Sequence, residues 1–63
     1  MKLKCFKGFT DSENLNIICL QGDTVELRDV DEGEVLLVGV SGFCRDLEIS
    51  LTPKQVVAYF EIA

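Results

Sequence analysis

Three cysteines, Cys5, Cys19 and Cys44, and the absence of histidine set the limits of the chemistry this chain can attempt. A thiolate is both a nucleophile and a soft metal ligand, but the thiol must first lose its proton, and the usual base near neutral pH is missing. Arg45 follows Cys44 and carries a charge able to lower a thiol pKa. On an extended strand, however, neighbouring side chains point to opposite faces, which turns Arg45 away from the Cys44 sulfur. The odd number of cysteines, their wide spacing and the lack of a C-x-x-C pair predict free, mostly buried thiols that behave as small hydrophobes. A zinc site made of the three cysteines and completed by an acidic residue or water has no spacing signature here, and none is assigned. Neither a P-loop nor G-x-G-x-x-G occurs, and Gly39-Val40-Ser41-Gly42 is too short for a nucleophile elbow. The sequence is read as non-enzymatic, with no catalytic residue, metal or cofactor.

Charge is the second source of possible function. Of 63 residues, 11 are acidic and 6 basic, a net charge of −5, and the charges are unevenly placed. Residues 1–10 carry +3, residues 11–34 carry −7 and residues 35–63 carry −1. Phosphate backbones repel such a chain over most of its surface, so nucleic-acid contact is confined to a weak alternative through Lys2, Lys4 and Lys7. Lys2 and Lys4 also suit the solvent side of an edge strand, where they discourage edge-to-edge pairing. Asp29, Asp31, Glu32 and Glu34 crowd one hairpin tip, with Asp23 and Glu26 on the same strand, and are either a solvated turn or a docking surface for a basic protein face. Asp29-x-Asp31-x-Gly33 has part of an oxygen-ligand calcium loop, but the full loop and its length are missing.

The elements that must hold these residues are mainly strands. Turn signals arrive about every ten residues, the rhythm of small sandwiches and barrels. Strands are predicted over residues 2–9, 15–20, 24–30, 34–40 and 43–49, with a polar loop over Thr10 to Asn14. In the first, Leu3, Cys5 and Phe9 share one face and Lys2, Lys4 and Phe6 the other. In the third, Val25 and Leu27 point inward. Asp31-Glu32-Gly33 connects the next hairpin, with Gly33 free to take a positive φ. Phe43, Leu47, Ile49 and Leu51 are placed on one side. A helix is predicted over 53–62: Thr52 as N-cap, Pro53 at the first position, Gln55 closing a capping box, and Leu51 with Val56 as a hydrophobic staple. Val56, Tyr59, Phe60 and Ala63 give that helix one apolar side to bury. No apolar stretch is long enough for a membrane span, and Met1-Lys2-Leu3-Lys4 is not followed by a signal-peptide core, so a cytoplasmic domain is expected.

Gly22-Asp23-Thr24-Val25-Glu26-Leu27, followed by an acidic hairpin, an apolar strand and a glycine-containing turn into a further strand, resembles the SH3-like small barrels, including the short Gly-Asp-x-Val start of KOW-type modules. The whole chain, with its lysine-bearing first strand and terminal Leu-Thr-Pro helix, is similar to short proteins encoded by bacteriophages and prophages. The resemblance implies a five-stranded antiparallel SH3-like barrel or half-barrel with one C-terminal helix, and no chemistry. The chain departs from peptide-binding SH3 domains in lacking their aromatic cluster, and from nucleic-acid-binding KOW modules in lacking a basic surface.

The expected role is a protein-interaction module binding a host or viral protein, through the acidic hairpin or an exposed sheet edge. Phe6 is either its aromatic anchor or a core residue under the helix. A self-associating structural subunit, a homo-oligomer joined through strand edges, is the alternative.

Overall fold

The computed structural model describes residues 1–11 and 15–63, so part of the loop expected over Thr10 to Asn14 lies outside the described residues. Its elements are β1 (Lys2–Cys5), β2 (Phe9–Thr10), β3 (Ile17–Cys19), β4 (Thr24–Asp31), β5 (Glu34–Ser41), β6 (Glu48–Leu51), α1 (Pro53–Tyr59) and β7 (Phe60–Ile62). All strand pairs are antiparallel. Five strands form one sheet in the order β6-β5-β4-β1-β7, and β2 with β3 forms a separate ribbon. The chain is thus mainly β with one helix, and its sheet is not closed. Among the described residues no helix is long and apolar enough to cross a membrane.

Period-two burial explains the centre of the sheet. Leu3 and Cys5 on β1, Val25 on β4, and Val35 and Leu37 on β5 turn to one side and are buried. Phe9 reaches the same core from the ribbon, stacking on Tyr59 at 4.3 Å and meeting Phe60 edge-on at 5.8 Å. Gly33 turns the β4–β5 hairpin at φ +76°.

Three expectations are corrected. The first strand stops at Cys5: Phe6 N–H bonds the Tyr59 carbonyl, and the chain bends before β2 leaves to pair with β3. Consequently β1 lies between β4 and β7 and is not an edge, so Lys2 and Lys4 do not guard a free edge. The strand expected over 43–49 is a tight turn followed by β6, because the 42–46 segment finds its hydrogen bonds within the turn and on the backbone beneath: Arg45 N–H to Gly42, Asp46 N–H to Gly39 and Leu47 N–H to Cys44. Phe43 is therefore turned outward and 58% exposed, and Leu47 is exposed with it, while Ile49 stays buried. The helix ends at Tyr59, not at residue 62, since Phe60, Glu61 and Ile62 pair with Cys5, Lys4 and Leu3. Strand pairing along β1 outweighs a helical period of only two turns, and Ala63 faces solvent.

The start of α1 follows its sequence closely. Gln55 N–H donates to Thr52 Oγ1 at 3.2 Å, and Thr52 N–H donates to Gln55 Oε1 at 2.9 Å. Leu51 and Val56 are both partly buried against the core. Thr52→Ala removes the cap acceptor and is expected to cost about 1 kcal/mol. For a domain of this size that is a fall in Tm of roughly 4–8 °C, measured by circular dichroism.

Candidate functional site

The Gln21-Gly22-Asp23 turn delivers an aspartate to the head of β4, and the structure buries it. Asp23 is 5% exposed, and its carboxylate gathers three backbone N–H groups: Leu20 at 3.0 Å and Cys44 at 3.1 Å on Oδ2, and Phe43 at 3.1 Å on Oδ1. Burial alone would raise its pKa, but these N–H donors, together with the Cys44 thiol, outweigh it and hold the carboxyl below its ordinary range. No lysine or arginine pairs with it among the described residues. Asp23 therefore ties the β3–β4 turn to the 42–46 turn.

Two glycines make that tie possible. At Gly42, with φ +87°, a Cβ would lie 2.0 Å from Asp23 Oδ1. At Gly39, which is buried on β5, a Cβ would lie 1.7 Å from the Cys44 carbonyl oxygen. The turn thus rests directly on the β5 backbone and drives Cys44 into the core.

All three cysteines belong to the same buried core cluster, each wholly buried and unbridged. Cys5 pairs with Asp23 along the backbone, its N–H reaching the Asp23 carbonyl at 2.8 Å. The donor atoms of Cys19, Asp23 and Cys44 lie within 4.8 Å of one another. Burial pushes the Cys19 thiol well up, and hydrogen bonding with Cys44 and nearby negative charge add to it. Burial is also the main cause raising Cys5 and Cys44, with the Asp23 charge a smaller contribution in the same direction. The thiols are thus protonated at neutral pH, and Arg45 stands exposed while Cys44 is buried.

A second feature lies where the sheet stays open. No strand pairs with the outer edge of β6 among the described residues, and between this edge and the β2–β3 ribbon runs a groove of about 320 Å³. Phe9, Ile18, Ile49 and Leu51 supply its apolar lining, and Glu48, Asp11 and Gln55 border it. The Gly39 N–H bonds the Leu47 carbonyl, and the register pairs Leu37 with Ile49. By the alternation of an antiparallel ladder, the backbone groups of Glu48 and Ser50 then point away from β5 into the groove.

Of the residues proposed from sequence, Asp29, Asp31 and Glu34 are brought together with Leu36 around a shallow pocket of about 190 Å³, and Phe6 lies apart from them. Asp29, Asp31, Glu32 and Glu34 are exposed around the β4–β5 tip. The Asp29 and Asp31 carboxylates accept the N–H of the following residue, at 2.9 and 2.7 Å, and Glu34 accepts from the Ser50 hydroxyl. Phe6 sits past the other end of β4, beyond the pairing of Lys4 with Thr24. It is 43% exposed, which places it outside the core. Sequence reasoning grouped Asp23 with the acidic hairpin and missed its burial. The available signal was its place after Gly22 and just before the most regular alternating strand, where an aspartate commonly serves backbone donors. Comparison with protein-family models, with curated proteins and with solved structures returned no match for this chain.

Proposed function

We propose that the chain is a non-enzymatic protein-interaction module of SH3-like topology that takes an extended, cationic segment of another protein as an added strand along β6. One observation carries this reading: the β6 edge, unpaired among the described residues, borders a groove of mixed apolar and polar lining. Strand addition satisfies the outward backbone groups of Glu48 and Ser50, and apolar side chains on alternate positions of the guest enter beside Phe9, Ile18 and Leu51. Glu48 at the rim and the net charge of −5 favour lysine or arginine on the guest and oppose a second copy of this chain. The similarity to phage-encoded proteins makes a host or viral protein the natural guest, met in a reducing cytoplasm where free buried thiols persist.

An eight-residue peptide of alternating lysine and valine, titrated against the labelled protein by amide-resolved NMR, tests this directly. The Glu48 and Ser50 amides are expected to shift first and to gain protection from exchange. Glu48→Lys is expected to weaken binding roughly fivefold at low ionic strength, with the difference shrinking as salt screens it. Shifts confined to Asp29–Glu34, or none at millimolar peptide, would overturn the proposal.

A further inference from the structure

We propose that Cys19, Cys44, Asp23 and Cys5 form a binding site for one zinc ion. Three separate segments, β3, the turn before β4 and the turn after β5, bring Cys19, Asp23 and Cys44 together, and Cys5 lies in the same core on β1. Two sulfurs and a carboxylate already stand within 4.8 Å of one another. Zinc bonds of about 2.3 Å to sulfur and about 2.0 Å to oxygen set tetrahedral donors roughly 3.4–3.8 Å apart, so a contraction on the order of 1 Å completes the first three positions. Cys5 supplies the fourth by side-chain rotation. It is the direct backbone neighbour of Asp23, and its thiol now bonds the Lys7 carbonyl at 3.1 Å.

The electrostatics of the pocket suit a cation. Asp23 is a buried carboxylate that no basic side chain neutralises among the described residues, and buried charges are ordinarily paired or metal-bound. Its backbone donors from Leu20, Phe43 and Cys44 fix its orientation, as hydrogen bonds to a ligating carboxylate do in metal centres. Sulfur donors select zinc over magnesium or calcium, and the closed, fully buried setting is that of a structural site. Binding involves no change of oxidation state: three thiol protons pass to the buffer, and three zinc–sulfur bonds and one zinc–oxygen bond form.

The test uses the whole reduced chain, stripped of metal and refolded with cobalt(II) as the probe. One equivalent of cobalt is expected to bind with thiolate-to-metal charge-transfer absorption, to be displaced by one equivalent of zinc, and to release about three protons per ion, read by calorimetry in buffers of different ionisation enthalpy. Cys19→Ser and Cys44→Ser are expected to lose the absorption. Because those variants can fail to fold, the wild-type spectrum decides first, and Asp31→Asn with Glu34→Gln, on the exposed hairpin, are expected to leave it unchanged. A wild-type protein that shows no charge-transfer absorption in excess cobalt, or that binds without proton release, would overturn the site.

Discussion

Gly39→Ala is expected to leave no folded protein at 25 °C. The added Cβ would stand 1.7 Å from the Cys44 carbonyl oxygen and 2.5 Å from its carbon, and both atoms are backbone. A flexible side chain could swing aside, but a main-chain carbonyl moves only with its turn. That turn is held by the Gly39 N–H to Leu47 at 2.9 Å and the Asp46 N–H to Gly39 at 3.0 Å. Relief of the clash therefore breaks bonds at Gly39 itself and lifts Cys44 out of the core. Overpacking a core by one or two methylenes commonly costs about 1–3 kcal/mol, and a rigid backbone contact exceeds that range. A chain of this length has a total stability of roughly 3–9 kcal/mol. Circular dichroism and the dispersion of amide resonances would show the loss. A cooperative melt within a few degrees of the wild type would show that the turn does not lie on β5.

Asp23→Ala is expected to cost about 3–6 kcal/mol, measured by urea unfolding in the presence of a chelator. The substitution leaves the buried N–H of Cys44 and the partly buried N–H groups of Leu20 and Phe43 without their acceptor, and a buried unsatisfied donor costs about 1–3 kcal/mol. Asp23→Asn should fall between, since its amide keeps one oxygen but turns an NH₂ group toward at least one backbone donor. A loss below about 1 kcal/mol for the alanine variant would mean that the two turns are joined by something other than this carboxylate.

The contrast between these two positions and the rest of the chain shows what the sequence made legible. Alternation along β4 announced a buried sheet centre, and the Thr52 capping box announced where α1 begins. These are local signals, written in residues a few positions apart. The course of residues 43–49 was not legible, because it depends on an absent side chain at Gly39 and an acceptor at Asp23, which reach the turn only in three dimensions. The end of α1 was hidden for the same reason. Val56, Tyr59 and Phe60 keep a helical period, yet Phe60 pairs with Cys5 at the other end of the chain. The meeting of Cys19 and Cys44 with Asp23 likewise has no trace in their spacing, since each arrives from a different segment. The acidic hairpin was conspicuous in the sequence because its residues lie within six positions, whereas the β6 groove is assembled from residues of the ribbon, of β6 and of the helix.

The seating of β7 against β1, Leu3 opposite Ile62, also dictates an order of assembly. The β4–β5–β6 meander closes through short connections, β1 must be recruited across about twenty positions, and β7 closes a loop almost as long as the chain. Loop entropy puts that docking last on the way to the native state and first on the way out. When β7 peels off, β1 becomes a momentary border of the sheet, and Lys2 and Lys4 then meet the same two charges on any other molecule caught in the same act. Their repulsion works against runaway strand exchange during the brief interval in which the protein is open to it.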